Sequence, residues 1–356
     1  MPRREEPTVK ALIAMSGGVD SSVAASLMLR QGIGAHGVTM RLQESKNSER
    51  DIADAAAVCR ALGIEHTVLD CRAEFAREVE DAFVAAYENG RTPNPCIICN
   101  KKLKFGRLLE TADERGLDLV VTGHYARVAY DAARGRWLLK KGLDEPKDQS
   151  YFLYLLSQEQ LKRVRFPLGD YTKDEARALA DELRFLNARK HDSQDICFVP
   201  DGDYAAFVER HSGKTFPAGD FVDPEGRVVG RHKGIIRYTV GQRKGLGLAS
   251  TAPWYVAGVD ADRNEVRLTH GEGLWQRTVY ADALNWIAVP GIDGELRCCA
   301  KLRSRHREQP CTAVIENGRL RVDFDEPQRA PTLGQALVLY DGDTVLGGGT
   351  ICDTEL

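Results

Sequence analysis

A segment near the N-terminus, Ser16–Ser22 with the sequence SGGVDSS, lies between a buried apolar run and a predicted helix. Its glycines let the backbone approach an anion, successive N–H groups form a cradle, and the helix N-terminus adds positive potential. The serines supply further donors, and Asp20 is a candidate partner of Mg²⁺ through water. The segment lacks the GK[ST] ending of a Walker A loop. An ordinary glycine-rich turn would explain the glycines but not the serines and Asp20, so we predict a phosphate loop.

Three cysteines have neighbours that suit sulfur chemistry. Cys96 and Cys99 form a C-x-x-C pair after TPNP, in a predicted loop ahead of a basic helix, and Cys197 lies in SQDICF at the end of the α/β pattern. A sulfur-carrying cysteine must be an exposed thiolate, and the lysines of the following NKKLK segment are expected to lower its pKa. The alternative for Cys197 is a small buried apolar side chain.

The cysteine count does not suggest a disulfide framework. The chain has nine cysteines, an odd number, which fits a reducing cytoplasm better than an oxidising compartment. The cysteines outside the three above are expected to pack in the core: Cys59, Cys71, Cys298, Cys299, Cys311 and Cys352.

Basic side chains alternate with apolar ones in LRCCAKLRSRHR. The basic residues on odd positions are Arg297, Lys301, Arg303, Arg305 and Arg307. Since a strand alternates its faces, one side would be a basic row suited to RNA phosphates. The alternative is an edge strand protected by charge.

The elements that position these residues show two patterns. Up to about residue 125, apolar runs alternate with helical segments, which predicts a parallel sheet with strands at Lys10–Met15, Ala35–Leu42, Glu65–Asp70 and Asp118–Gly123. Ligands bind beyond the carboxyl ends of such strands, so Met40 and Gly123 should lie beside the phosphate loop. Residues 125–144 are predicted to form a hairpin, and Thr172 with Glu175 to cap a helix.

Short alternating runs with frequent glycine and proline dominate after about residue 200 and predict small β-barrel-like modules. We expect domains at 1–203, 204–276 and 277–356.

The composition and charge exclude several classes of protein. The 43% hydrophobic and 28% charged composition excludes a disordered or fibrous chain, and the net charge of −3 excludes a uniformly basic surface. No apolar run is long enough for a transmembrane helix, and MPRREEPTVK lacks the apolar region of a secretory signal. A cytoplasmic location is expected.

The motifs together resemble one family. SGGVDSS is similar to the loop of the PP-loop ATP pyrophosphatases, and TPNPCIICNKKLKFG, VTGHYAR, KDQSYFL, SQDICF, YTVGQRKGLG and LGGGTI resemble segments of the tRNA 2-thiouridylases. The resemblance covers nearly the whole chain. It implies an α/β PP-loop (adenine nucleotide alpha hydrolase-like) parallel-sheet domain, a small central domain and a C-terminal β-barrel. It implies ATP-dependent adenylation of C2–O of wobble uridine 34 and sulfur transfer to give 2-thiouridine, AMP and pyrophosphate.

The resemblance also implies roles for single residues. Cys99 and Cys197 would be catalytic, with Cys197 carrying a persulfide, and the two would end the reaction as a disulfide. Residues implied for nucleotide binding are Ala14, Met15, Ser16, Gly17, Gly18, Val19, Asp20, Ser21, Met40 and Gly123. Residues implied for tRNA binding are Asn94, Pro95, Cys96, His124, Lys147, Asp148, Gln149, Arg303, Ser304, Arg305 and Gln335.

Cys96 departs from the family, whose typical members have Asp at this position. In one interpretation Cys96, Cys99 and Cys197 hold a [4Fe–4S] cluster with one iron open, because three thiolates suit a reactive cluster better than structural zinc. In the other, Cys96 is a spare thiol and the persulfide route uses two cysteines. The sequence leaves both open.

The implied cofactors are ATP and Mg²⁺, with the cluster as the open addition. The implied partners are a tRNA with U34, of the Lys, Glu and Gln type, and a sulfur donor or relay protein. No membrane partner is expected, and a monomer is. Part of the sequence is compatible with two other functions: a PP-loop ligase for a small metabolite, and a tRNA-binding protein without catalysis. Neither uses all the motifs.

Overall fold

The computed structural model describes residues 9–188, 190 and 196–354. Its first part alternates strands and helices, as the sequence predicts. The elements in chain order are β1 Lys10–Ala14, α1 Val19–Arg30, β2 Gly34–Arg41, α2 Lys46–Leu62, β3 Glu65–Asp70, α3 Arg72–Phe75, α4 Asp81–Glu88, α5 Pro95–Cys99, α6 Leu108–Glu114, β4 Leu119–Val121, β5 Ala126–Asp131, β6 Arg136–Lys141, α7 Gln158–Arg163, β7 Val164–Arg165 and α8 Lys173–Glu182.

Five of these strands form a parallel sheet in the order β3–β2–β1–β4–β7. Because β1 and β2 are neighbours and β1 also pairs with β4, the loops that follow these three strands open at one edge. β1 is buried over Ala11–Ile13, and α1 is buried almost throughout, which explains its small and apolar composition. The predicted shared crevice is thus confirmed by the strand order.

Local signals set several boundaries. Ser45 caps α2, which ends at Gly63 with φ 70°, a left-handed conformation that glycine adopts without strain. The predicted capping box of Thr172 and Glu175 is present at α8. π-helical segments, Ala76–Glu80 and Asn100–Arg107, link α3 to α4 and α5 to α6.

The central part contains one helix and a small sheet. Its elements are α9 Tyr204–Ser212, β8 Gly219–Val222, β9 Val228–His232, β10 Tyr255–Asp260 and β11 Glu265–Thr269. The strands pair in the order β10–β11–β8–β9. α9 packs against α4, so its apolar residues share a core with that helix.

The last part is a closed barrel, as the resemblance implies. Its strands are β12 Trp275–Trp286, β13 Leu296–Lys301, β14 Gln309–Glu316, β15 Arg319–Arg329, β16 Ala336–Asp341 and β17 Thr344–Thr354. They follow the order β12–β15–β14–β13–β16–β17, and pairing of β12 with β17 closes the ring. The predicted β5–β6 hairpin is confirmed, and it extends the barrel sheet through Thr344 and Lys140.

The expected basic strand over residues 297–307 is wrong beyond Lys301. β13 ends there, and the pairing of Ala300 with Gln309 makes the residues between them a hairpin loop. A loop has no alternating faces, so the basic residues do not form one row. Arg297 pairs instead with Asp325, and Arg303 donates to Ala330 O at 2.6 Å.

Candidate active site

A cleft of about 1550 Å³ opens beyond the carboxyl ends of β1 and β2. It is lined mainly by the phosphate loop, the end of β2 with the start of α2, the segment 141–149 at the end of β6, and the barrel loop 304–308. Cys197 and Lys104 also line it. The cleft therefore places a predicted nucleotide site, a predicted sulfur carrier and a loop of the barrel around one space.

The phosphate loop is organised by its serines. Ser16 N–H donates to Ser21 Oγ at 3.2 Å, and Gly18 N–H donates to Ser16 Oγ at 3.3 Å. Ser21 and Ser22 hydroxyls both donate to Gly18 O at 3.0 Å. Gly18 is the N-cap of α1, whose first turn leaves N–H groups without helical acceptors. The loop therefore presents donors at a helix N-terminus, which is what phosphate binding needs.

Asp20 is held by residues that sequence reasoning missed. Lys173 Nζ lies 2.8 Å from Oδ1 and 2.9 Å from Oδ2, and Tyr125 Oη donates to Oδ1 at 2.9 Å. Lys173 is only 5% exposed. A buried ammonium that lines the nucleotide cleft places a positive charge beside the loop. No local pattern links Lys173 to Asp20, since they are far apart in the chain and meet only in the fold.

A second lysine lies on the other side of the loop. Lys190 Nζ contacts Gly17 O at 3.1 Å, Asp51 at 2.6 Å and Asp54 at 2.9 Å. Asn187 also donates to Gly17 O, at 3.0 Å. These contacts hold the loop from α2 and from the chain beyond α8. Sequence reasoning missed them too; the only signal is that Lys190 is close in sequence to SQDICF.

Gly123 explains why β4 can reach the loop. A Cβ at this position would lie 2.7 Å from Asp20 C and 2.8 Å from Ser21 N, so only glycine permits this approach. The prediction that Gly123 lies beside the phosphate loop is confirmed. Met40, at the end of β2, lines the cleft with Met15. Their contact with a nucleotide stays a prediction.

Cys96 and Cys99 lie on helix α5, so their expected placement in a loop is wrong. Pro95 occupies the first turn, where a missing N–H costs nothing. The C-x-x-C spacing therefore spans about one helical turn. Cys96 is exposed, Cys99 is 8% exposed and Cys197 is exposed. The alternative that Cys197 is a buried apolar residue is wrong.

The expected lowering of the cysteine pKa values is also wrong. Cys96 and Cys197 are exposed as residues, but the protein packed around their sulfur atoms removes water from the thiols. This desolvation raises the pKa of Cys96 and that of Cys197 to about 11, and burial raises the pKa of Cys99. The Lys104 ammonium lowers all three, but less than burial raises them. Lys102 instead pairs with Glu78 at 3.6 Å. Cys96 and Cys99 add to the raised pKa of Cys197, so the three thiols lie within electrostatic range of one another.

The described residues give no support for a [4Fe–4S] cluster at the three cysteines. Across residues 9–188, 190 and 196–354, no group of three His, Cys, Asp or Glu side chains is placed to hold a metal ion. We therefore derive no step through a cluster. Asp20 accepts hydrogen bonds from Lys173 and Tyr125. Its expected contact with Mg²⁺ through water stays a prediction.

Several residues implied to contact tRNA are engaged within the protein. His124 is 7% exposed, its Nδ1 lies 2.7 Å from Thr122 Oγ1, and burial holds its pKa well below the usual range. Asp148 accepts from Gly142 and Ser150 backbone N–H groups at 3.1 and 3.0 Å. Gln149 Oε1 accepts from Tyr125 N–H at 3.0 Å. Lys147 lines the cleft. Their tRNA contacts stay predictions.

Some of the barrel residues implied for tRNA binding line a cavity, and others also form hydrogen bonds within the protein. Ser304 and Arg305 line both the main cleft and a smaller pocket of about 420 Å³ beside it. Arg303 and Gln335 line the smaller pocket, with Arg303 donating to Thr332 Oγ1 at 3.0 Å and Gln335 to Thr92 O at 2.8 Å. Asn94 is the N-cap of α5 and Pro95 is buried.

Family models match three successive parts of the chain. They are the tRNA methyl transferase HUP domain over residues 9–201, the tRNA methyl transferase PRC-barrel domain over 205–270 and the aminomethyltransferase beta-barrel domain over 276–351. The parallel sheet and the phosphate loop at its edge thus define a nucleotide-binding protein of the PP-loop class with two appended β modules.

Curated relatives narrow the class to a family. The tRNA-specific 2-thiouridylase MnmA of Syntrophotalea carbinolica is 47% identical, covering 98% of this chain and 99% of the relative. MnmA 1 of Caldanaerobacter subterraneus subsp. tengcongensis is 46% identical, covering 96% and 97%. The chain belongs to the tRNA-specific 2-thiouridylase family.

One solved structure similar to this chain is the U34-tRNA thiolase NcsA of Methanococcus maripaludis with its [4Fe–4S] cluster. It is 18% identical, covers 59% of this chain and 66% of its own, and has a TM-score of 0.37. At that similarity nothing about the site is carried over.

Proposed function

We propose that this protein is an ATP-dependent tRNA-uridine 2-sulfurtransferase that converts wobble uridine 34 to 2-thiouridine. One observation carries the proposal: Cys197 lines the same cleft as the phosphate loop. Membership of the 2-thiouridylase family supports the same reaction.

In the first step, uridine O2 attacks the α-phosphate of ATP and pyrophosphate leaves. The N–H groups of the first turn of α1, which have no helical acceptors, would hold the phosphates. Lys173 and Lys190 would hold the loop in place, since their ammonium groups pair with Asp20 and with Asp51 and Asp54. Mg²⁺ would arrive with the nucleotide, and Asp20 would be the residue that holds it through water. Adenylation is needed because uracil O2 is a poor leaving group, whereas AMP is a good one.

In the second step, the terminal sulfur of a deprotonated Cys197 persulfide bonds to C2 and AMP departs. The Cys99 thiolate then attacks Cys197 Sγ, which breaks the sulfur–sulfur bond and releases 2-thiouridine. A Cys99–Cys197 disulfide is left, and an external thiol reductant restores both cysteines. Cys96 is a spare thiol in this route.

The test is thiolation of a transcribed tRNA that carries U34, with ATP and a persulfide donor, followed by nucleoside mass spectrometry. Cys197→Ala and Ser16→Ala should abolish 2-thiouridine while tRNA binding survives. Cys352→Ala, a half-buried barrel cysteine, is the control. ATP turnover that is independent of tRNA would contradict the proposal and favour a small-metabolite ligase.

A second experiment tests whether Cys96 is a cluster ligand or a spare thiol. It measures iron, acid-labile sulfide and the visible spectrum of anaerobically purified protein. About four irons per chain, lost in Cys96→Ala, would replace the persulfide route by a cluster. Protein that contains no iron but still thiolates tRNA would support the persulfide route. We further propose a cytoplasmic monomer that acts on tRNAs of the Lys, Glu and Gln type and takes sulfur from a donor or relay protein.

No helix in the described part of the chain is long and apolar enough to cross a membrane.

A further inference from the structure

A turn of the barrel, Pro331–Gln335, contacts the segment that leads into the cysteine helix. Thr92 N–H donates to Leu333 O at 2.9 Å, and Gln335 Nε2 donates to Thr92 O at 2.8 Å. Both backbone groups of Thr92 are therefore bonded to this turn, although the two segments are far apart in the chain. Such a pair of bonds fixes a loop residue more firmly than either would alone.

The contact is also close-packed. Gly334 has φ 90°, and a Cβ there would lie 3.1 Å from Arg91 Cβ and 3.1 Å from Thr92 O. A side chain at position 334 would thus be strained by its backbone conformation and would push the segment away. The packing therefore leaves Thr92 little room to move towards the turn.

The turn is itself anchored on the barrel. Gly334 N–H donates to Ile351 O at 2.9 Å, and Ile351 N–H donates to Gln335 O at 2.8 Å. On its other side, Arg303 Nη2 donates to Thr332 Oγ1 at 3.0 Å. The barrel strand β17 and the hairpin loop after β13 therefore hold the turn in place.

Little freedom remains between Thr92 and the cysteines. Pro93 and Pro95 have fixed φ angles and restrict the residues before them. Ile97 N–H donates to Asn94 O at 3.2 Å, which starts the helix. A shift of Thr92 is therefore transmitted to Cys96 and to Cys99 one helical turn later.

We propose that the turn Pro331–Gln335 positions the cysteine helix for sulfur transfer, with Gln335 as the positioning residue. The proposal rests on the proposed function for its kinetic consequence. It adds to the role that the family resemblance implies for Gln335, a contact with tRNA, because one N–H of the Gln335 amide donates to Thr92 and its other polar groups are not part of that bond. The barrel would then align the catalytic segment as well as contribute a loop to the cleft.

The test compares Gln335→Leu and Gly334→Ala with Gln328→Leu. Gln328 is a matched control because its amide bonds only locally, to Glu326 O at 2.8 Å. Three quantities are measured: the single-turnover thiolation rate at saturating tRNA and ATP, the tRNA Kd, and hydrogen exchange of the Thr92–Cys99 amides in the free protein. Melting temperatures identify a variant that fails to fold.

We expect the thiolation rate to fall roughly tenfold in both test variants, since small misplacements of reacting groups are costly. The tRNA Kd should stay within about twofold, and the Thr92 amide should exchange roughly tenfold faster. Gly334→Ala removes no polar group, so it separates positioning from RNA contact if Gln335→Leu does not fold.

A weaker tRNA Kd with an unchanged rate and unchanged exchange would overturn the proposal and assign Gln335 to RNA binding. If wild-type protein makes no 2-thiouridine, the proposed function fails, whereas the exchange data still decide whether the turn holds the segment. Unchanged exchange in both variants would overturn the positioning role by itself.

Discussion

At the residue scale, the balance between burial and one lysine governs the thiols. Burial raises the pKa of Cys197 to about 11, and raises those of Cys96 and Cys99, while Lys104 acts in the opposite direction on all three. Lys104 follows Cys99 by five residues within a π-helical segment. In an α-helix, residues five apart are separated by about 500° of rotation, which leaves them on different faces. In a π-helix the i→i+5 hydrogen bonds bring residues five apart closer to the same face.

Replacing Lys104 by Gln should make Cys197 a weaker nucleophile at neutral pH. A raised pKa leaves less thiolate below it, so the alkylation rate of wild-type Cys197 should rise about tenfold per pH unit from pH 7. Without the Lys104 ammonium the pKa rises further, and the rate at any one pH in this range should fall several-fold. Iodoacetamide labelling followed by peptide mass spectrometry measures both.

Lys101→Gln is the matched control, because Lys101 is exposed on the same π-helical segment and should leave the rate unchanged. Equal rates in Lys104→Gln and wild type across the pH range would show that Lys104 does not act on the thiol.

At the element scale, close approaches decide which strand ends form the site. β4 is short, and its continuation reaches the phosphate loop only because Gly123 has no side chain. The same edge receives Lys173 from the first residue of α8. The site therefore depends on where elements end more than on their lengths.

Gly123→Ala should impair nucleotide binding. The added Cβ would lie 2.7 Å from the Asp20 backbone, so β4 or the loop must move. Overpacking of this kind destabilises a fold by about 1–3 kcal/mol, and the moved loop should bind ATP at least about tenfold more weakly. Calorimetric titration and urea unfolding measure the two effects.

Gly291→Ala serves as the control, since nothing lies within 4 Å of a Cβ there. Wild-type ATP affinity in Gly123→Ala would mean that the loop does not need the observed approach of β4.

Sequence reasoning worked best where a local signal was strong. β3 has the predicted bounds Glu65–Asp70, and the capping box of Thr172 and Glu175 is present. It failed where tertiary contacts override local pattern. The helix of the cysteines begins at Pro95, so Cys96 and Cys99 do not lie in a loop ahead of the basic helix. β13 stops at Lys301 because the chain must turn to pair with β14.

The candidate site shows the same division. The phosphate loop and Cys197 were predicted because their residue types are adjacent in sequence and carry the chemistry. The sequence does not predict the residues that hold the loop, because each reaches it from a distant part of the chain; they are Lys173, Lys190 and Asn187. The thiol pKa values were wrong in direction, since sequence shows nearby lysines but not burial.

At the scale of the whole molecule, the nucleotide-binding part and the barrel share a core. One cluster joins Ile97 and Phe105 of the helices, Leu139 of the hairpin, and Val338 and Tyr340 of the barrel. The β5–β6 hairpin also pairs with β17. A shared core of this kind predicts that the two parts unfold together.

Tyr340→Ala tests that cooperativity. Tyr340 is fully buried, its hydroxyl lies 3.3 Å from Ser150 Oγ, and Lys141 Nζ lies 5.0 Å from its ring centroid. Removing a buried aromatic ring costs about 3–5 kcal/mol. Although Tyr340 belongs to the barrel, we expect the variant to lose ATP binding and to unfold in one calorimetric transition. That transition should lie at a lower temperature than in wild type.

The control is Ile315→Ala, on an exposed part of β14, which should leave the transition temperature nearly unchanged. Two separate transitions, with ATP binding lost at the wild-type temperature, would contradict a common core and limit the coupling between the parts to the hairpin and the turn Pro331–Gln335.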